Sequence, residues 1–326
     1  MTTPSQVLPI AVIIPAYNAE PFLAETLQSV RAQTAAPAEI IVVDDGSEDR
    51  TAELAGKWGV TVLPQKKSGI SAARNLAIRT TRQPWVAFLD ADDLWMPEKL
   101  QQQWLAIEAF PSVGAIFTDF VEFSSEGPLG PPFLQQRPNF QATKRTCLCS
   151  GVSLCDRESL EQNFLEGNFI APSTVVVRRQ LLEDVGLFDE GVSHSEDREL
   201  YLRLLTVSQM AVVEKPLMLS RIHQKNWSSD KLKMALGVEA ILDRMLESPN
   251  RYPAAAVARY RRDQPVLYWH IGQLYEERGE VPRARSYYTK SFRLGGGVRP
   301  AGLAVLSYCP ASIRRVVRKC FHLLAH

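Results

Sequence analysis

The stretch WVAFLDADDLW, residues 85–95, changes character at its middle. Trp85 to Leu89 form an unbroken apolar run, and Asp90, Asp92 and Asp93 follow at once. A short apolar run closed by polar residues reads as a strand buried on both faces. The carboxylates then stand just past its carboxyl end. Like charges this close repel one another, so the cluster calls for a cation. Hard oxygen ligands at this density suit Mg2+ or Mn2+, which one or two carboxylates commonly hold together with substrate phosphates. A strand-end Asp-x-Asp therefore suggests a metal clamping a nucleoside diphosphate. Taken alone, the pattern also reads as a solvated acidic turn capping the helix that Pro97 opens.

The same pattern recurs on either side. IAVIIPAY (residues 10–17) is a buried strand ended by Pro15, and EIIVVDDGS (39–47) is a second one ending in acids and a glycine. GVTVL (59–63) reads as a third strand and VGAIFTDF (113–120) as a fifth, with the opening stretch as the fourth. Helices are predicted after the first strand, from Ser47 to about Lys57, over 71–80, and from Pro97 through Ile107. Strand and helix alternating through short links predict an α/β fold, a mainly parallel sheet flanked by helices. Ligands on such sheets lie beyond the carboxyl ends of the strands, so residues 15–18, 44–47 and 90–93 are expected at one edge.

Residues 124–150 are rich in proline, glycine and polar side chains and read as a long loop or insertion, either disordered or a lid over the cleft. STVVVRR is a strand, RQLLEDVG a short helix, SHSEDRELYLRLL a helix and PLMLSRIH a strand. Beyond Asp230 the pattern is helical, near 231–247, 254–262, 264–278 and 281–293, with no strand evident. Two domains are expected, residues 1–230 and an α-helical appendage over 231–326.

Composition bounds the chemistry. The 326 residues are 45% hydrophobic and 22% charged, enough for a sizeable core, and the net charge of +1 gives no global pull toward nucleic acid. Met1 to Pro9 lack a signal-peptide pattern, and charges or prolines interrupt every apolar stretch short of a membrane span. A cytoplasmic location is expected. Cys147, Cys149, Cys155, Cys309 and Cys320 are an odd, clustered set expected to be reduced thiols, since no fourth zinc ligand has suitable spacing.

PAYNAE, VVDDGSEDRT, AARNLAI, FLDADDLWMPEKL, GLFDE, SEDRELYLRL and RIHQKNWS occur in this order. Together they resemble the family 2 glycosyltransferases, which have the GT-A fold; the resemblance runs over roughly residues 9–229. It implies that Pro15, Ala16, Tyr17 and Asn18 line a nucleotide pocket, with the Tyr17 ring available for a base. It assigns Asp45 to the edge of the base, although Asp45 also suits a helix cap. Gly69 and Arg74 are placed beside the diphosphate; Arg74 could equally pair with Asp90 or Asp92. Asp90 is assigned to the ribose or metal-bound water, Asp92 to the metal, and His223 to the metal or the diphosphate. Asp93 reads as a supporting residue or the helix cap.

Of the pair Glu196 and Asp197, the resemblance makes Asp197 the base that takes the proton of an acceptor hydroxyl. Ser193-x-x-Glu196 matches a capping box, which gives Glu196 a structural reading beside the catalytic one. Asn226 and Ser228 fall in the loop expected to close on donor, and His194 is a candidate acceptor contact. The implied reaction is inverting transfer from a nucleotide sugar, most commonly a uridine diphosphate sugar, to a carbohydrate or lipid-linked glycan acceptor, with Mn2+ or Mg2+. Two rivals remain: nucleotidyl transfer, for which no glycine-rich phosphate loop is found near the N-terminus, and a non-catalytic scaffold.

In the appendage, Tyr268, Ile271, Gly272, Tyr275, Ala284 and Tyr288 have the spacing of a single tetratricopeptide repeat. The tail SIRRVVRKCFHLLAH (312–326) joins Arg314, Arg315, Arg318 and Lys319 to an apolar face, fitting either an anionic membrane surface or a docked terminal helix. Peripheral membrane or protein contact through the C-terminal helices, at the inner face of the cell membrane, is therefore a further expectation.

Overall fold

Strand β1 (Val7–Ala16) is buried along nearly its whole length, because its side chains alternate between two covered faces. Ile10, Val12 and Ile14 share one core cluster with Leu23, Leu27 and Val30 of helix α1 (Leu23–Arg31), while Ala11 and Ile13 are fully buried on the opposite face. This computed structural model describes residues 6–149, 151–223 and 230–296. The alternation continues through β2 (Ala36–Asp44), α2 (Thr51–Lys57), β3 (Thr61–Pro64), α3 (Ile70–Thr80) and β4 (Trp85–Phe88). The pairs β1 with β2, β1 with β4 and β2 with β3 are all parallel, as the strand–helix alternation predicts.

Beyond β4 the sheet becomes mixed. The chain runs through β5 (Leu94–Trp95), α4 (Lys99–Ala109), β6 (Val113–Ser124), β7 (Gly127–Pro128), α5 (Pro138–Gln141), β8 (Arg145–Cys149), β9 (Val152–Cys155), α6 (Arg157–Glu166), β10 (Val176–Arg178), α7 (Arg179–Val185), α8 (Glu196–Val207) and β11 (Gln209–Arg221). The sheet order is β3-β2-β1-β4-β10-β6-β11-β9-β8, with β5 on β11 and β7 on β6. Strand β10 is antiparallel to both β4 and β6, and β11 is parallel to β6. Two reversals restore the direction, so the carboxyl ends of β1, β2, β4, β6 and β11 share one edge.

The expectation of a disordered loop over 124–150 is corrected. Its described residues contain β7, a helical turn at Leu134–Gln136, α5 and the edge strand β8. Phe133 stacks on Phe120 with 4.3 Å between ring centroids, and Leu134 and Phe140 are buried. Asp119 Oδ1 accepts the N–H of Leu134 at 2.8 Å. The anchors are spaced too irregularly among proline and glycine for any period to reveal them.

The chain divides into two compact units among the described residues: 6–223 with Asn250–Ala256, and 230–249 with 257–296. Within the second, Asp230 caps α9 (Lys231–Glu247), accepting the N–H groups of Leu232 and Lys233. Helix α10 (Ala254–Glu277) runs unbroken through Pro265, where two helices were expected. A proline forfeits one backbone hydrogen bond inside a helix, but Tyr260 and Tyr268 are buried on either side of this one and favour continuation. Helix α11 (Val281–Arg293) packs closely on α10: a Cβ added to Gly272 would lie 2.6 Å from the ring of Tyr288. The basic tail at 312–326 lies outside the described residues.

Candidate active site

The first strand-end loops are tied to each other. Asn18 takes a left-handed conformation, φ 49°, which asparagine tolerates better than most residues. Its N–H donates to Ser47 Oγ at 2.9 Å, and its Oδ1 accepts the N–H of Glu48 at 2.8 Å. The N–H of Ala19 donates to Thr51 Oγ1 at 2.8 Å. Pro15 and Ala16 lie opposite Val43 and Asp44 in the sheet. Tyr17 is 38% exposed, and Lys67 Nζ donates to its hydroxyl at 2.8 Å while standing 3.9 Å from the ring centroid.

Asp45 is buried beneath the loop it holds. Its Oδ1 accepts Gln65 Nε2 at 2.6 Å and the Ser68 N–H at 2.7 Å, and its Oδ2 accepts the Gly69 N–H at 2.9 Å. Gly69 precedes the first turn of α3 with φ 94°. Nothing crowds the position, so the backbone angle, not space, calls for glycine there. Asp45 thus anchors the N-terminus of the helix that carries Arg74.

Past β4, the three aspartates face different ways. Asp93 is buried: its Oδ2 accepts Ser173 Oγ at 2.6 Å and its Oδ1 accepts the Arg221 N–H at 3.1 Å. Burial, then the charges of Asp92 and Asp90, push its pKa well above the ordinary range. The Ser173 hydroxyl also accepts the Asp90 N–H at 3.0 Å. From below, Trp95 Nε1 donates to the Ser173 carbonyl and Gln103 Nε2 to that of Thr174.

Asp92 and His223 meet at 2.9 Å, Oδ2 to Nε2, although 131 residues separate them. Arg221 holds the two segments together, its Nε donating to the Asp92 carbonyl at 2.8 Å. The His223 ring stacks on Phe22 at 4.8 Å. Burial, then Asp90, raises the pKa of Asp92. One carboxylate and one imidazole are donors that fit Mn2+, with phosphates and water completing the shell. Among the described residues no group of three or more His, Cys, Asp or Glu side chains is placed so as to hold a metal ion by itself. Cys147 and Cys149 are exposed and Cys155 is buried.

Arg74 joins the two sides of the site. It is 1% exposed, and its Nη2 donates to Asp90 Oδ1 while its Nη1 donates to Glu196 Oε1, each at 2.8 Å. Burial opposes its charge, but Asp90 and Glu196 overcome that and hold its pKa above normal. Of the alternatives open for Arg74, the carboxylate pairing is what the structure contains, with Glu196 as a second partner.

Glu196 opens α8 after Ser195, which occupies the cap position with φ 63° and no side-chain cap bond. Glu196 spends its carboxylate on Arg74, and burial raises its pKa to about 7. Beside it, Asp197 Oδ2 accepts Asn168 Nδ2 at 2.8 Å. Burial raises the pKa of Asp197, against the Arg198 N–H, Arg74 and Asn168. Tyr201, one helical turn on, has a buried hydroxyl without a hydrogen-bond partner among the described residues. Ser173, Asn168 and Tyr201 were not singled out from sequence; a polar residue beside a buried apolar run was the only available signal.

Comparison with known proteins agrees with this architecture. Residues 11–164 match the sequence model of Glycosyl transferase family 2. A Rickettsia typhi protein described as an uncharacterized glycosyltransferase is 26% identical over 234 residues, 71% of this chain and 70% of that protein. An Escherichia coli protein described as UDP-Glc:alpha-D-GlcNAc-diphosphoundecaprenol beta-1,3-glucosyltransferase is 25% identical over 246 residues, 74% of this chain and 87% of that protein.

Among solved structures, S. aureus TarS 1-349 in complex with UDP superposes with TM-score 0.58 at 17% identity, covering 96% of this chain and 92% of that one. The mannosyltransferase PcManGT of Pyrobaculum calidifontis, in complex with GDP-Man and Mn2+, gives 0.56 at 17% identity, covering 93% and 81%. Sequence match and shared fold point the same way: residues 11–164 carry the sequence pattern of the family 2 glycosyltransferases, and the chain has the GT-A fold.

Proposed function

We propose that this protein transfers a sugar from a nucleoside diphosphate sugar, with uridine the expected nucleoside, to a hydroxyl of a glycan or lipid-linked glycan, inverting the anomeric centre. The observation that carries the reading is the Arg74 bridge. One buried guanidinium binds Asp90, from the loop of Asp92, and Glu196, the neighbour of Asp197. Donor-side and acceptor-side carboxylates are therefore fixed relative to one another before any ligand arrives.

In this reading Asp197 takes the proton from the acceptor hydroxyl. The hydroxyl oxygen bonds to the anomeric carbon from the face opposite the diphosphate. The bond to the diphosphate breaks, and its electron pair leaves with the diphosphate. Tyr17 and Asn18 border the nucleotide, and Asp90 faces the ribose. Asp92 and His223 are the residues that would hold a divalent cation, which would supply positive charge opposite the departing diphosphate. The acceptor class is supported by the E. coli relative, whose name specifies a diphosphoundecaprenol-linked sugar. A role in cell-surface polysaccharide synthesis follows. No described helix is long and apolar enough to cross a membrane.

Thermal melting with UDP, TDP and GDP, each with and without Mn2+, tests the reading. One nucleoside diphosphate raises the melting temperature only with Mn2+, and Asp92→Ala loses that shift. Release of nucleoside diphosphate from the matching sugar nucleotide supports transfer. Pyrophosphate release instead marks nucleotidyl transfer, and silence of both assays with no ligand-induced shift marks a scaffold.

A further inference from the structure

Asp197 faces charged and titratable groups from several elements: Arg74 of α3, Asp90 of the loop after β4, and its α8 neighbours Glu196 and Tyr201. Three of these are acids. One more contact comes from the segment after α6, where Asn168 Nδ2 donates to Asp197 Oδ2 at 2.8 Å. The amide of Asn168 cannot turn freely, because its Oδ1 accepts the Ile170 N–H at 2.9 Å. With the oxygen committed, the side chain offers Asp197 only N–H hydrogens.

Its backbone is equally constrained. The next two residues, Phe169 and Ile170, are 1% and 2% exposed, and Phe169 meets Phe164 and Phe140 edge-on at 5.7 and 5.4 Å. Asn168 itself is exposed. An exposed polar side chain on a rigid buried anchor, aimed at a carboxylate, matches a supporting contact in a prepared site.

We propose that Asn168 is a positioning residue: it aims the Asp197 carboxylate at the acceptor and favours its ionised form by donating an N–H hydrogen bond that the carboxylate oxygen accepts. The inference rests on the reading of Asp197 as the base. It assigns a role to a residue outside the span that matches the family model.

Asn168→Asp is the sharpest test, since it keeps an oxygen for the Ile170 N–H but turns an acceptor toward Asp197. Asn168→Ser, which removes the amide without adding charge, covers the case in which the first variant does not fold. The Asp197 carboxyl is titrated by NMR in the full chain with 13C-labelled aspartate, its signal identified by its absence in Asp197→Asn. Asn168→Ser raises the Asp197 pKa by roughly half to one unit, the loss of one hydrogen bond to the charged form, and Asn168→Asp raises it further. An unchanged pKa in the folded variants overturns the proposal.

Turnover separates the inference from the reading beneath it, measured as nucleoside diphosphate released from a panel of UDP-, TDP- and GDP-sugars with Mn2+. An Asp197→Asn variant as fast as the wild type refutes both. If Asp197→Asn is inactive, Asn168→Ser is expected to lose about tenfold or more in kcat at unchanged donor KM, with the acid limb of its pH profile displaced upward. Wild-type kcat and acid limb in Asn168→Ser refute the positioning role alone.

Discussion

Glu196→Gln isolates the electrostatic cost built into the Arg74 bridge. Burial lifts the Glu196 pKa from its ordinary 4.5 to about 7, even with Arg74 against it. A carboxyl with a raised folded-state pKa binds a proton more tightly folded than unfolded. Its contribution to stability is therefore fully present below pH 4.5 and is lost as pH rises through 7. A difference of about 2.5 units corresponds to about 3 kcal/mol. Glutamine has nearly the same shape, and its Oε1 can still accept from Arg74 Nη1, but it never ionises.

The variant should therefore match the wild type in stability at pH 4.5 and exceed it progressively at higher pH, by up to about 3 kcal/mol at pH 8. Urea unfolding of both full-length proteins at several pH values, followed by tryptophan fluorescence, reads the gap directly. The comparison cancels the contributions of Asp92 and Asp93, whose raised pKa values are common to both proteins. A separation that stays constant between pH 4.5 and 8 would refute the reasoning, because it would mean that Glu196 titrates alike in the folded and unfolded chains.

Two further changes probe other parts of the molecule. Arg74→Met leaves Asp90 and Glu196 without their shared cation and should cost about 3–5 kcal/mol near pH 8, with a smaller loss at pH 5, where Glu196 is protonated; equal losses at both pH values in urea unfolding would contradict the bridge. Gly272→Ala places a methyl group 2.6 Å from the Tyr288 ring and should lower the melting temperature, with overpacking of about 1–3 kcal/mol exceeding the helix preference for alanine of about 1 kcal/mol; a raised melting temperature would show that the two helices are not held so closely.

Much of the architecture was legible from residues 7–120 because local signals agree there. Apolar runs end at Pro15, at Asp44 and Asp45, and at Asp90, and each break coincides with a strand end in the sheet. The hairpin β8–β9 and helix α6 were not legible, since short edge strands such as RTCLC alternate too briefly to stand out. Pro265 misled for the opposite reason: a strong local breaker was overridden by buried neighbours on both sides.

The sequence by itself determined which residues stand at strand ends, because a change from apolar to polar side chains is written in adjacent positions. It determined the acids of the site and the family they suggest. Only the tertiary structure decided how those acids are used. Arg74 could pair with several carboxylates, and its choice of Asp90 and Glu196, 16 and 122 residues away, depends on α3 lying against both segments. Ser193 and Glu196 are spaced for a local cap, yet Ser195 holds the cap position of α8 and the Glu196 carboxylate accepts from the distant Arg74 guanidinium. Such selections are invisible in the chain because nothing in a residue's own neighbourhood records which distant charge will share its buried volume, where a low dielectric makes that charge decisive.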